Sequence, residues 1–193
     1  MFIMAQHRKY ELEQVLEKSL PLAIDLGYRG CSMATLIDQT GFNRRAFYLH
    51  FNNKEDFFEA LLNHYLQAHL LPLNRYFHEN ADPQYCVQAY FVHYQKLIHT
   101  KGCLLTKLII EMGNKNVAIQ HQARWFYDQL QLEFIALLER CVQQGYLPKS
   151  LKIEQEALKL TCLAQGFAVS NHIVQGSEDV LLMIQSIFEF PSQ

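Results

Sequence analysis

The chain has 193 residues, with 17 Lys and Arg against 19 Asp and Glu, for a formal net charge of −2. This near-neutral balance excludes a generally basic protein that coats nucleic acid, but not a local basic surface. Half of the residues are hydrophobic and 19% are charged, which excludes a mostly disordered chain, and the 8 Gly and 5 Pro are too few for the many tight turns of a β-sandwich or barrel.

Apolar residues recur at helical spacing along the chain, and no stretch alternates as a strand would. Pro21 is expected to bend the first helix and Gly27 to end it. The predicted helices span residues 12–26, 33–40, 44–50, 54–78, 84–99, 104–112, 117–144, 154–175 and 178–188. The sequence therefore predicts an all-α protein of about nine helices.

The segment from residue 32 to residue 51 predicts a helix-turn-helix, because two short helices flank a turn centred on Gly41. Arg44 and Arg45 begin the second helix, where side chains meet base edges, and the guanidinium fork matches the guanine acceptors of the major groove. The candidate DNA-binding residues of this segment and its flank are Ser32, Asn43, Arg44, Arg45, Tyr48, His50 and Lys54.

Within this set, Tyr48 and Lys54 suit phosphate oxygens, which fix the register of a protein on DNA rather than read its sequence. An alternative interpretation is that Arg44 and Arg45 are solvated charges on an amphipathic helical bundle.

Residues 15–57 resemble the DNA-binding domain of the TetR family of transcriptional regulators. The resemblance is carried by Val15-Leu16, Gly27-Tyr28, Ser32-Met33, Leu36, Gly41-Phe42-Asn43 and, most specifically, Phe47-Tyr48-Leu49-His50-Phe51-Asn52-Asn53-Lys54-Glu55-Asp56-Phe57. This last string is similar to the family's Leu-Tyr-x-Tyr-Phe-x-x-Lys-Glu-x-Leu signature. The chain departs from the family pattern at Arg45, where glycine is frequent, and at His50, where an aromatic residue is usual.

The resemblance implies a DNA-binding domain over residues 1–53 and an effector-binding and dimerisation domain over residues 54–193. It also implies a homodimeric repressor that binds a two-fold-symmetric operator in double-stranded DNA until a small-molecule or reactive effector releases it. The alternatives are a helical small-molecule-binding protein, an enzyme or an adaptor. The sequence contains no recognisable nucleophile–base pair, phosphate loop or pair of catalytic carboxylates.

The family's dimer interface is expected on the last two helices, where small residues recur at every fourth position and let a partner helix approach closely. The candidate interface residues are Cys162, Gly166, Phe167, Ser170, Ile184 and Ile187. The alternative is that these residues pack within the monomer's own core. A reader of a two-fold operator needs a dimer, which favours the interface.

An effector pocket is expected among aromatic side chains with polar groups, although each of these alone is more often ordinary core. The candidate pocket residues are Tyr65, His69, Tyr90, Tyr94, Cys103, Phe126 and Tyr127. Cys103 lies in a Gly-Cys-Leu-Leu string that resembles a motif of one branch of the family. It is interpreted either as a reactive thiol at a helix N-terminus beside Lys101 and Lys107 or as a small buried hydrophobe.

Neither a metal nor a cofactor is expected. The five cysteines are widely spaced and include no Cys-x-x-Cys pair. His64 and His69 are five residues apart, which is poor register for one face of an α-helix. No segment reaches the ~18 apolar residues of a membrane span, and residues 1–10 lack the core of a signal peptide, so a cytoplasmic protein is expected.

Overall fold

The computed structural model describes residues 2–41, 43–98, 102–170 and 182, with the backbone alone for residues 2–11. Every regular element in these residues is helical, which confirms the all-α class. The eight α-helices are α1 (Phe2–Gly30), α2 (Met33–Thr40), α3 (Arg44–His50), α4 (Lys54–Tyr65), α5 (Pro83–Ile98), α6 (Leu104–Met112), α7 (Val117–Gln143) and α8 (Ile153–Ser170). The predicted ninth helix, apart from Leu182, and residues 171–175 lie outside the described residues.

The single helix predicted over residues 54–78 is wrong. After α4 the chain forms a π-helical turn, Leu66–Leu70, and then a 3-10 helix, Leu71–Phe77. Pro72 lies in the first turn of the 3-10 helix, where its missing N–H is tolerated but where it cannot continue an α-helix. The helical geometry therefore changes twice within a stretch whose apolar spacing looks uniform.

The first helix bends at a glycine rather than at its proline. Gly27 has φ 70° and ψ −176°, the one residue of α1 with non-helical backbone angles, whereas Pro21 lies in regular helix. The chain resumes a short helical stretch to Gly30, beyond the predicted end of the helix. A positive φ is readily adopted only by glycine, which explains the kink at this position.

The described chain divides into two compact units. One comprises residues 1–69 and 103–123, and the other comprises residues 70–102 and 124–193. The first contains α1 to α4 and α6, and the second contains α5, most of α7 and α8. The domain boundary after residue 53 stays a prediction.

An aromatic cluster forms the core of the first unit beneath α3. The Phe47 ring centroid lies 5.0 Å from that of Phe51 and 5.4 Å from that of Phe57, and the last two are 5.2 Å apart. All three side chains are buried. Aromatic pairs at these distances gain about 0.5–1.5 kcal/mol each beyond the area they bury. The aromatic positions of the signature string thus hold α3 against α4.

The second unit has its own aromatic core. Phe77 stacks on Tyr90 of α5 with ring centroids 4.6 Å apart, and Phe134 of α7 meets Phe77 edge-on at 5.1 Å. Phe167 of α8 approaches Phe91 at 6.5 Å. Three α-helices and the 3-10 helix that contains Phe77 therefore share one buried aromatic layer.

Two side chains of α6 hold the kink in α1, and we name this pair the α6 clamp: Lys107 and Glu111. Lys107 Nζ donates to the carbonyl oxygens of Ile24 and Asp25, both at 2.6 Å. Glu111 Oε2 accepts the backbone N–H of Arg29 at 3.0 Å. Carbonyls that precede a break in a helix lack helical partners, and a cation there is favoured. The clamp therefore satisfies both sides of the kink.

We predict that Gly27→Ala destabilises the protein more than Gly41→Ala. Gly41, with φ 67° and ψ 14°, is in the left-handed region, where alanine costs roughly 1–2 kcal/mol. Gly27, with φ 70° and ψ −176°, is in a region adopted almost only by glycine, where the cost reaches about 3 kcal/mol. At Gly27 the new Cβ also lies 2.9 Å from Glu111 Cδ, so Glu111 must move and its hydrogen bond to Arg29 is lost. At Gly41 no described atom beyond the chain neighbours lies within 4 Å.

Urea denaturation followed by circular dichroism measures the free energy of unfolding. The loss for Gly27→Ala should exceed the loss for Gly41→Ala by at least about 1 kcal/mol. Equal losses for the two variants would contradict the role assigned to the clamp.

Candidate nucleic-acid interface

The helix-turn-helix is built by local caps. Ser32 Oγ accepts the backbone N–H of Thr35 at 3.0 Å and begins α2. Gly41 ends α2 in the left-handed conformation. Asn43 Oδ1 then accepts the backbone N–H of Arg45 at 2.8 Å and begins α3. These are the caps that the sequence predicts, and they fix both helix starts without distant contacts.

One face of α3 is buried and the other is exposed. Phe47 is buried in the aromatic cluster, whereas Arg44, Arg45 and His50 are exposed and Tyr48 is 49% exposed. The helix contains no acidic residue. Its exposed side therefore combines cationic and aromatic groups on a backbone that the core holds rigid, which is a suitable surface for an anionic polymer.

Of the remaining predicted DNA-binding residues, Ser32 and Asn43 are exposed caps, and Lys54 begins α4. The Lys54 ammonium lies 4.1 Å from the centroid of the Tyr28 ring, a cation–π contact that the sequence analysis missed. The Tyr28 hydroxyl donates to the Glu55 carboxylate. Burial and that hydrogen bond raise the pKa of Tyr28 to about 12, and the hydrogen bond lowers the pKa of Glu55.

These contacts tie the end of α1 to the first turn of α4 and so place Lys54 beside the helix-turn-helix. Gly27-Tyr28 and Lys54-Glu55 both belong to the strings that carry the family resemblance. Their presence in the same family pattern could have indicated that Tyr28 contacts Lys54 and Glu55.

The predicted pocket residues fall into both units. In the first, the Tyr65 hydroxyl donates to Cys103 Sγ at 3.8 Å, and the Tyr65 ring stacks on His69 at 5.6 Å. Cys103 is 4% exposed and occupies the N-cap of α6. This burial favours the interpretation of Cys103 as a packed hydrophobe, and its reactivity stays a prediction.

In the second unit, Tyr90 and Tyr94 stack along α5 with centroids 6.0 Å apart. Phe126 and Tyr127 are neighbours on α7 with centroids 5.7 Å apart. All but Tyr127 are buried. Their assignment to an effector pocket stays a prediction.

The predicted dimer residues on α8 divide between two faces. Cys162 and Gly166 are exposed and Ser170 is partly exposed. Phe167 is instead buried, 6.2 Å from Tyr94 between ring centroids, and belongs to the core of its own unit. Ile184 and Ile187 lie outside the described residues.

Two apolar residues that the sequence analysis did not select share the exposed side of α8. Leu158 is 50% exposed and Val169 is 59% exposed. Their spacing from Cys162 and Gly166 is helical, so the four residues form one continuous stripe, which we name the α8 stripe: Leu158, Cys162, Gly166 and Val169.

A polar cluster in the first unit was also missed. Glu17 Oε2 on α1 meets His64 Nε2 at 2.8 Å and His69 Nε2 at 3.0 Å. The expectation that the two histidines face apart is wrong, because the π-helical turn Leu66–Leu70 brings residues five apart onto one face. Burial alone raises the pKa of Glu17, but the two histidine hydrogen bonds outweigh burial and lower it overall.

Within the described part of the chain, none of the helices has the length and apolar character needed to cross a membrane.

Residues 15–61 match the model of a family described as bacterial regulatory proteins, tetR family. The chain is 23% identical over 174 residues to the HTH-type transcriptional repressor ComR of Escherichia coli strain K12, covering 83% of this chain and 79% of ComR. Its fold is similar to that of a TetR family regulator from Cytophaga hutchinsonii, with a TM-score of 0.83, 16% identity and 94% of each chain covered.

It is also similar to the TetR family regulator CifR, solved as a cysteine mutant with 26-base-pair double-stranded operator DNA. Here the TM-score is 0.75 and the identity 19%, with 93% of this chain and 96% of CifR covered. At these identities the two structures show the fold alone. The family model thus matches the helix-turn-helix and most of α4, and the described chain shares the fold of TetR family regulators.

Proposed function

We propose that this protein is a homodimeric repressor that binds a two-fold-symmetric operator in double-stranded DNA and leaves it when a small-molecule or reactive effector binds. The observation that carries the proposal is the two-faced α3: Phe47 is buried beneath it, and Arg44 and Arg45 are exposed at its first turn. The N-terminal residues of a recognition helix are those that contact base edges.

The named properties of relatives support this proposal. ComR is a transcriptional repressor, and CifR has been solved with operator DNA. The family's regulatory role favours this proposal over an enzyme. A regulator of this kind acts in the cytoplasm, where the bacterial chromosome is, and needs no cofactor for binding DNA.

The α8 stripe supports the homodimer. Leu158 and Val169 expose apolar area, while Cys162 and Gly166 are small enough for a partner helix to approach closely. A second copy of α8 offers the same stripe, as a two-fold interface requires. Two α3 helices at a fixed separation then read the two half-sites of one operator.

Effector release follows from differential affinity in this proposal. An effector that binds one conformation of the dimer better than the other shifts the population toward it by that difference in affinity. Release requires that the favoured conformation separates the two α3 helices by a distance that the operator does not match.

We predict that Arg44→Ala and Arg45→Ala each weaken binding to the preferred operator by about 1–3 kcal/mol, roughly 5- to 150-fold, because each removes a bidentate contact to a base. Both variants should also relax the preference for one base. Tyr48→Phe should weaken binding to all sequences alike. Fluorescence anisotropy on the operator and on single-base variants measures both effects.

The matched control is Arg124→Ala, since Arg124 is exposed on α7 and belongs to the second unit. It should bind as the wild type does. Operator affinity that drops equally in Arg44→Ala and Arg124→Ala would show that only general charge matters.

We predict that Gly166→Leu converts the dimer into a monomer. Apart from its chain neighbours and the backbone of α8 itself, no atom of the described residues lies within 4 Å of a Cβ built at Gly166. Leucine there clashes with none of the described residues and fills the space that a partner helix needs. Gln120→Leu adds the same side chain at an exposed position of α7 and serves as the control. Sedimentation equilibrium should give half the mass for Gly166→Leu alone, and a Gly166→Leu dimer of unchanged stability would exclude the α8 stripe as the interface.

If the effector is a reactive molecule that acts on Cys103, Cys103→Ser should abolish release of the operator by N-ethylmaleimide and leave operator affinity intact. Cys141→Ser is the control, because Cys141 is likewise a buried free cysteine but lies on α7, where burial raises its pKa to about 12. Anisotropy of labelled operator follows the release. An unchanged response in Cys103→Ser would leave Cys103 with a packing role against Tyr65.

A further inference from the structure

We propose that Glu17, His64 and His69 form a binding site for a divalent transition-metal ion of the zinc type, which links α1 to the π-helical turn after α4. The proposal concerns metal binding by the first unit alone. It stands whether or not the protein binds DNA as proposed above.

The three ligand atoms already converge. Both imidazoles direct Nε2 at one carboxylate oxygen, Glu17 Oε2, at 2.8 Å and 3.0 Å, and all the ligand atoms lie within 4.8 Å of one another. Ligands about 2.0–2.2 Å from a tetrahedral Zn²⁺ are separated by roughly 3.3–3.5 Å. The Glu17–His distances therefore need to open by only a few tenths of an ångström to admit an ion.

A π-helical turn in the backbone brings His64 and His69 together. A π-helical turn is rare and is frequently found at functional sites. Here it spans Leu66–Leu70 and places the His64 and His69 rings 6.2 Å apart with their planes at 78°. The His69 ring is further held by stacking on Tyr65. Two ligands of the set are thus oriented before an ion arrives.

The donor set selects the class of ion. Two imidazole nitrogens and one carboxylate oxygen suit Zn²⁺ and its neighbours in the transition series, whereas Mg²⁺ and Ca²⁺ require oxygen ligands almost exclusively. The side chains of Glu17, His64 and His69 are 53%, 16% and 26% exposed. Water can therefore deliver the ion and complete its coordination.

The second unit contains a histidine–carboxylate pair that serves as a control for this cluster. His78 Nε2 and Glu133 Oε2 lie 3.0 Å apart in the second unit, an ordinary histidine–carboxylate pair. That pair is not among the groups of three ligands found in the described residues. The His78 pair offers two ligand atoms, whereas the Glu17 cluster offers three, the number that protein supplies in a zinc site that keeps a water ligand.

The test uses the full chain without a polyhistidine tag, stripped of metal and titrated with Zn²⁺ by isothermal calorimetry. We expect the wild type to bind about one Zn²⁺ per chain at a tight site. His69→Ala and Glu17→Gln should each bind Zn²⁺ at least about 10-fold more weakly than the wild type. His78→Ala is the matched control and should bind Zn²⁺ as the wild type does. Mg²⁺ should give no binding heat at the same concentrations.

Substitution with Co²⁺ gives a second readout, since visible absorption bands arise from a low-coordinate site with nitrogen ligands. The wild type and His78→Ala should show these bands, and His69→Ala should lose them. Thermal melts without metal, followed by circular dichroism, verify that each variant folds, and the exposed Glu17→Gln tests the site where a histidine variant does not fold.

The proposal is overturned if the wild type binds Zn²⁺ no more tightly than His69→Ala and Glu17→Gln do. It is equally overturned if His78→Ala loses as much affinity as they do, because the bound Zn²⁺ would then not depend on this cluster.

Discussion

The α6 clamp at the kink of α1 is the interaction on which the first unit depends. Lys107 holds the carbonyls of Ile24 and Asp25 before the kink, and Glu111 holds the N–H of Arg29 after it. Hydrogen bonds to charged groups are worth roughly 1.5–3 kcal/mol each, less where solvent screens them, as at the two exposed bonds of the clamp. Because α2 begins at Met33, shortly after the kink, the direction in which α1 ends sets the course of the helix-turn-helix.

Local caps and the aromatic cluster together position the helix-turn-helix that follows the kink. Ser32, Gly41 and Asn43 fix where α2 and α3 begin and end. Phe47 anchors α3 in the aromatic cluster, so the core fixes the orientation of the opposite, exposed side of this two-turn helix. Arg44 and Arg45 are therefore presented in a defined orientation, as base recognition requires.

The parts of this arrangement that could be predicted from the sequence are those with local causes. Caps and a left-handed glycine act within three or four residues, and the all-α class follows from apolar spacing. The hydrogen bond between Arg29 and Glu111 joins residues far apart in sequence and leaves no periodic trace. The π-helical turn was missed for a similar reason, because spacing arguments assume 3.6 residues per turn. The sequence left Phe167 between a dimer interface and the monomer's own core, because apolar residues lie on both the buried and the exposed side of α8.

The most direct test of the account is to incubate the reduced protein with random-sequence double-stranded DNA and to sequence what it retains. The account predicts an enriched motif with two-fold symmetry, which loses its defined bases when Arg44→Ala or Arg45→Ala replaces the wild type. Retained DNA with the same composition as the input, for a protein that is folded and dimeric, would contradict the assignment of α3 as a recognition helix.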